Sequence, residues 1–344
     1  MKKDDVATKR RYFAAANGFT GFRNYFPAVF DSAEYRRIFV LKGGPGTGKS
    51  SLMKKVCAKF PDGAYRTEAI FCSSDPDSLD GVIVEGKGGR VAVLDGTAPH
   101  ERDAVIPGAV DEIVNLKDAW DTGALERRRA EIFSLTEEKA AHYRDAYRYL
   151  SAFGKTQKNS AAENEKCDLH AMREAIRSLI RHDAGEGFFC RCRLIRAFGC
   201  RGEVMLPTFS SLAARTYLLR GSTAHKARLL REAVGIFEEE NVPVTFAPSP
   251  FDPDVPDGIL AEAAGVALLS CGEDGISLDA DGFFDRRQEE RGGDTSLLTA
   301  AKESFLSASE SHFALEKIYT AAMDFRVIDR KTERILERIA DTVG

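Results

Sequence analysis

The stretch from residue 37 to residue 60 constrains this chain more than any other. Arg37-Ile38-Phe39-Val40-Leu41-Lys42 reads as a short buried strand and runs directly into Gly43-Gly44-Pro45-Gly46-Thr47-Gly48-Lys49-Ser50, after which residues 51–60 carry helical character. Glycines at 43, 44, 46 and 48 let the backbone turn tightly enough to aim successive N–H groups inward at an anion. The positive N-terminal end of the following helix faces the same anion. In such a loop Lys49 reaches the β- and γ-phosphates of a nucleotide and the Ser50 hydroxyl ligates Mg²⁺. The expected phosphate contacts are Gly43, Gly44, Pro45, Gly46, Thr47, Gly48, Lys49, Ser50 and Ser51, with Mg-ATP or Mg-GTP as ligand.

A metal-bound nucleotide also needs a carboxylate at the end of a buried strand. Arg90-Val91-Ala92-Val93-Leu94-Asp95 supplies it beyond one intervening strand, residues 66–72, so Asp95 is the expected second Mg²⁺ ligand. Position 96 is Gly, where many ATPases carry a Glu that activates water. Ala98 breaks the D-x-x-G pattern of GTPases, and Asn115-Leu116-Lys117-Asp118 misses the N-K-x-D guanine reader, so ATP is favoured over GTP. Thr97, His100, Glu101 and Asp103, just past the strand end, are the groups available to orient a water or an acceptor; Thr97 and His100 join Lys49 and Asp95 as the expected catalytic set.

The second half of the chain repeats the first in order and spacing. Arg215-Thr216-Tyr217-Leu218-Leu219-Arg220-Gly221 matches residues 37–43, Lys226 matches Lys49, and Phe237 falls where Phe60 does. Residues 252–260 mirror 75–83, residues 266–270 mirror 91–95, and His312 and Tyr319 answer His142 and Tyr149. The second copy has lost its chemistry: His225 replaces Gly48, Ala227 replaces Ser50, and Ser270 replaces Asp95. Asp75-Pro76-Asp77-x-x-Asp80-Gly81 survives in that copy and therefore reads as structural, with Asp75 as the N-cap and Pro76 as the first residue of a short helix. Ser73 and Ser74, set against Pro248 and Ser249, leave part of that loop open to a substrate.

Taken together, residues 43–50, 71–82 and 94–100 resemble a bacterial family of tandem P-loop ATPases in which G-G-P-G-T-G-K-S, F-C-S-S-D-x-D-S-L-D-G-V and L-D-G-T-A-P-H occur in series. The loop alone also resembles that of AAA-type ATPases. The resemblance implies two P-loop domains in one polypeptide, each normally with its own phosphate loop, from which this chain departs at residues 221–227 and at Ser270. The expected architecture is α/β: two P-loop NTPase-type, three-layer α/β/α domains related by internal duplication, each followed by amphipathic helices. Residues 1–153 form the competent domain, 154–186 a linker and connecting helix, and 187–344 the degenerate domain. The leading function is a Mg-ATPase with one competent site; a small-molecule or nucleotide kinase and a nucleotide-sensing interaction module are the alternatives.

With 344 residues there is material for two cores, and 43% hydrophobic and 30% charged residues describe an ordinary globular chain. A net charge of -4 favours neither nucleic acid nor an anionic membrane. Met1-Lys2-Lys3-Asp4-Asp5 lacks an apolar signal region and no later stretch suits a membrane span, so the expectation is a cytoplasmic protein with nucleotide, and a protein partner or a second copy, as its partners. Residues 124–152 and 297 onward show helical periodicity, with Tyr143, Tyr147 and Tyr149 interleaved with Arg144 and Arg148, a stripe that packs or stacks on bases. Cys190, Cys192 and Cys200, with His182 upstream, read as free thiols or, at poor spacing, a zinc site; Arg191, Arg193, Arg196 and Arg201 make the same stretch basic.

Overall fold

The structure is a computed structural model, in which residues 6, 8–157, 165–180, 187–285 and 293–344 are described. The first half contributes β1 (Arg10–Phe13), a hairpin of β2 (Ala15–Gly18) and β3 (Gly21–Asn24), α1 (Phe26–Val29), β4 (Arg37–Lys42), α2 (Lys49–Lys59), β5 (Arg66–Phe71), β6 (Leu79–Gly86), β7 (Gly89–Asp95), β8 (Asp111–Asn115), α3 (Thr122–Arg127), α4 (Arg129–Thr156) and α5 (Leu169–Arg177). The second half contributes β9 (Cys190–Cys192), a hairpin of β10 (Arg196–Gly199) and β11 (Gly202–Met205), α6 (Thr208–Leu212), β12 (Arg215–Arg220), α7 (Thr223–Glu239), β13 (Val244–Pro248), β14 (Pro256–Ala261), β15 (Val266–Leu269), β16 (Ile276–Asp279), α8 (Thr295–Ala321) and α9 (Phe325–Val343).

The two six-stranded sheets have one topology. The first runs β1-β5-β6-β7-β4-β8 and the second β9-β13-β14-β15-β12-β16, and in each the third strand alone is antiparallel to its neighbours. A register irregularity recurs at the same place, between Ile70 and Phe71 and between Ala247 and Pro248. Phe13 and Leu194, each two residues before the first strand of its hairpin, exchange both backbone hydrogen bonds at 2.8 and 3.1 Å. Mutual pairing of equivalent residues is what a local two-fold axis produces.

Residues 75–81 depart from the sequence expectation. Asp77 N–H donates to Asp75 Oδ1 at 3.3 Å and Ser78 N–H to Asp75 O at 3.0 Å, a turn that delivers the chain into β6, so no helix starts there and two strands, not one, separate the loop from Asp95. The turn recurs at Asp252, which accepts from Asp254 N–H and Val255 N–H. Cys72 and Ser249 make equivalent bonds at its base, to Ser78 O and Val255 O, so Ser73 and Ser74 stand opposite Pro250 and Phe251 rather than Pro248 and Ser249.

The antiparallel strand also alters the layering. Because β5, β6 and β7 follow one another through short turns, no crossover helix is generated to cover the second face. Phe39, Leu41, Val91 and Val93 point outward onto α2, while Ile38, Val40, Ala92 and Leu94 point inward into a core shared with Leu218, Leu260, Ala267 and Leu269 of the second sheet and with Phe26, Phe30 and Phe209. Each sheet thus carries its long helices on one face and turns the other toward its counterpart, with the short helices α1 and α6 contributing to the layer between, in place of a separate three-layer sandwich.

The outer helices are exchanged between the halves. Ile335, Ile339 and Val343 of α9 complete the core of α2 and the first sheet, whereas Met172 and Ile176 of α5 complete the core of α7 and the second sheet. The junctions match: Trp120 bridges Met323, with Asp324 N–H donating to Ala119 O and Asp121 N–H to Ala322 O, both at 2.8 Å; Cys167 bridges Phe284, with Asp168 N–H donating to Phe283 O at 2.8 Å. Asp168 and Asp324 are the N-caps of α5 and α9. Between the halves α4 packs along α8, where Tyr143 and Tyr147 each meet Phe305 at 5.7 Å; Tyr147 also donates to Asn17 Oδ1, so both rings are spent on packing.

The basic stretch is spent on ion pairs, and three of its four arginines reach across the seam between the halves. Arg193 donates to Glu68 at 2.7 Å with both side chains buried, Arg201 pairs with Asp77, Arg196 with Asp257, and Arg191 lies 3.8 Å from Glu34. Burial alone would raise the Glu68 carboxyl, but Arg193, Arg90 and Arg66 outweigh it and hold it below the ordinary range. No helix among the described residues is long and apolar enough to cross a membrane.

Candidate functional site

The loop after β4 closes through local chemistry. Gly46 and Gly48 lie at φ +68° and +81°, a region that only glycine enters without strain, and Gly48 is the N-cap of α2. Thr47, buried, donates to Gly44 O at 2.8 Å and ties the loop across its mouth. Lys49 Nζ donates to Gly43 O at 2.7 Å and Gly44 O at 2.9 Å and lies 3.5 Å from Asp95 Oδ2. Pro45 and Ser50 are half-buried, whereas Ser51 is exposed on the helix. Ser50 Oγ accepts from Leu79 N–H at 3.0 Å, which binds the start of α2 to the start of β6.

Strand register brings the acid to the loop: β7 pairs with β4 so that Asp95 sits opposite Leu41, two residues before Gly43. Thr97 donates to Asp95 Oδ1 through both its N–H, at 2.9 Å, and its hydroxyl, at 2.6 Å. His100 lies flat on Phe26, ring centroids 4.4 Å apart, with its Nε2 3.4 Å from Asp80 Oδ2. Burial pulls the His100 imidazole down, but the Asp80 carboxylate and hydrogen bonding to Asp80 and to the Asp95 backbone raise it overall. Glu101 and Asp103 are exposed, and Asp103 pairs with Lys42 at 2.8 Å, so neither joins the group.

Asp80 is the residue that sequence reasoning set aside. One ligand atom from each of Asp80, Asp95 and His100 lies within 4.8 Å of the others, the only such group among the described residues. Two carboxylates and an imidazole so placed are groups that could share a divalent cation. The signal was present as a lone carboxylate inside the apolar run Leu79-Asp80-Gly81-Val82-Ile83-Val84. The cysteines make no such cluster among the described residues: Cys190 is exposed, Cys192 and Cys200 are half-buried and free, and His182 lies outside the described residues.

Residues from beyond the first sheet also reach the loop. Thr320 Oγ1 of α8 donates to Gly46 O at 3.3 Å, and Trp120 and Tyr319, ring centroids 5.8 Å apart, both approach Gly44. Burial, with Lys139 of α4 and Lys49 adding to it, pushes the His312 imidazole down to about 4. The Lys139 ammonium is itself lowered by burial. Desolvation is the first cause of both shifts, so α4 and α8 shield this side of the loop from water.

A Cβ at Gly46 would stand 2.6 Å from Thr320 Oγ1 and 2.7 Å from Glu316 O. Gly46→Ala is expected to cost about 1–2 kcal/mol in backbone strain alone, and to weaken ligand binding at the loop further as the loop shifts off α8. Thermal unfolding and nucleotide titration of the variant check this; unchanged affinity would show that the loop geometry is immaterial.

The equivalent site in the second half is filled from within. Helix α7 begins at Thr223, with Ser222 as N-cap accepting from His225 N–H at 3.2 Å. Asp281 Oδ1 accepts from Ser222 N–H at 2.9 Å and lies 2.7 Å from His225 Nδ1, while Glu165 Oε2 lies 2.7 Å from His225 Nε2. His225 stacks on Phe284 at 3.7 Å and is fully buried. A carboxylate of the protein thus occupies the helix N-terminus that would receive an anion. Asp257, in the place of Asp80, is paired with Arg196. Comparison of the chain with protein-family models, with curated proteins and with solved structures finds no match in any of the three.

Proposed function

We propose that the chain binds Mg-ATP at residues 43–51 of its first half and hydrolyses it there, the second half serving as a structural or regulatory counterpart. The observation that carries this reading is the convergence of Lys49, Asp95 and Asp80 at the mouth of a glycine loop on a helix N-terminus, set against an equivalent loop closed by Asp281. Ser50, Asp95 and Asp80 would hold Mg²⁺, which when bound neutralises charge on the phosphates. Lys49 would exchange its bonds to Gly43 O and Gly44 O for phosphate oxygens. Thr97 fixes the Asp95 carboxylate, and His100, held on Phe26, fixes Asp80. The γ-phosphoryl group passes to water, the bond to the β,γ-bridging oxygen breaks, and ADP, phosphate and a proton leave. The first half would thus be a P-loop NTPase unit, in keeping with the family that the sequence resembles.

A specific observation favours slow turnover and hence a nucleotide-sensing role. Thr97 is committed to Asp95, and His100 is 5% exposed and turned to Asp80, so neither presents a free base to an attacking water. The kinase alternative draws less support, since Ser73 and His100, which would line an acceptor pocket, are both buried. Phosphate release by the purified chain with Mg-ATP and no acceptor tests the reading. Enzymatic turnover supports the ATPase, tight binding with negligible release supports the sensor, and absence of Mg-ATP binding sinks both.

A further inference from the structure

The loop accounts for phosphates but not for the rest of a nucleotide. Helix α8 runs past it: Thr320 bonds to Gly46, and the Glu316 backbone comes within 2.7 Å of where a Gly46 Cβ would stand. The same two residues, with Phe313, Lys317 and Ala321, border an open depression at the surface. Positions 313, 316, 317, 320 and 321 fall on one face of a helix, so this solvent-facing stripe of α8 runs from the loop outward. Phe313 is 46% exposed and lies on the stripe that leads to the loop, whereas Phe305 of the same helix is buried.

The loop after β8 has its polar groups paired with the chain itself. Asn115 Oδ1 accepts from Lys117 N–H at 2.9 Å, and Lys331 of α9 donates to Asn115 O at 2.7 Å and to Asp118 Oδ2 at 2.9 Å. The one carboxylate there that might have read a base edge is already paired with an ammonium.

We propose that the nucleoside end of the ligand seats on this face of α8, its base stacked on Phe313 with Glu316 and Lys317 at its edges. A helix of the second half then reads the nucleotide whose phosphates are held by the first. The inference rests on the reading of residues 43–51 as a phosphate site. Stacking on an aromatic ring tolerates any base, whereas the polar groups flanking the ring give it orientation.

Calorimetric titration of the full chain with Mg-ATP and, separately, with inorganic triphosphate and Mg²⁺ separates the two ideas. Phe313→Ala is expected to weaken ATP by about 5- to 150-fold and leave triphosphate unchanged, Phe313→Tyr to retain ATP affinity, and Lys49→Ala to lose both ligands. Should Phe313→Ala bind ATP like the unaltered chain, or lose ATP and triphosphate alike, the base seat is wrong and the phosphate site stands. Should the unaltered chain bind neither ligand, the phosphate site itself is wrong.

Discussion

Lys49→Ala is expected to abolish nucleotide binding and turnover, while Lys226→Ala leaves both nearly unchanged. The two lysines hold equivalent places in a repeated unit, so a difference between them must come from their surroundings. Lys49 lies at the mouth of a loop whose glycines at 46 and 48 hold it open, within reach of Asp95. Charge-assisted hydrogen bonds to phosphate contribute about 1.5–3 kcal/mol each, and two such bonds lost together amount to a fall of at least about 100-fold in affinity. Lys226 Nζ instead lies 3.4 Å from Ser270 O, beside a helix N-terminus already held by Asp281. Titration of both variants with Mg-ATP and a phosphate-release assay measure the contrast. Equal losses from the two substitutions would mean that the second loop opens to ligand, and the asymmetry would be lost.

What was legible in the sequence was local. The strand, glycine loop and helix of residues 37–60 declare themselves because a tight glycine turn between a buried strand and a helix keeps a fixed spacing along the chain, and Asp95 follows from a strand that ends on an acid. The repeat was legible for the same reason, since equivalent elements keep their order and offsets. Asp75-Pro76 misled because an Asp followed by Pro opens a turn as readily as a helix, and only the pairing of β6 with β5 and β7 decides between them. That pairing also carries Asp80 to Asp95 and His100, and a strand partner is not written in local sequence. The exchange of α5 and α9 was hidden by a deeper limit. Spacing such as Ile328, Ile335 and Ile339 announces a buried face but not the sheet that buries it.

That exchange leads to a result no reading of separate halves would expect: damage to α9 loosens the N-terminal half of the chain, and damage to α5 the C-terminal half. Ile339 and Ile176 are both fully buried, the first against α2 and the outer face of the first sheet, the second against α7 and the second sheet. Truncating either to alanine leaves a cavity and is expected to cost about 2–5 kcal/mol. Hydrogen exchange followed by mass spectrometry locates the loss, because local openings report the stability of the segment that opens. In Ile339→Ala the amides of β4, β7 and α2 should exchange faster while those of α7 and β14 keep their protection; in Ile176→Ala the pattern reverses. Ion pairs follow the same lines, with Lys55 bonded to Asp329 at 2.8 Å across the α2–α9 contact, and Arg173 to Glu239 across α5–α7. Faster exchange confined to the half that carries the substitution would contradict the exchange of helices, and equal loss in both would mean that the shared inner core makes the two sheets one cooperative unit. With the helices exchanged, α8 cannot shift over the glycine loop without pulling on α9, which follows it after three residues and is built into the first sheet's core. The loop and the helix that bounds it are thus held in one mechanical frame supplied by both halves.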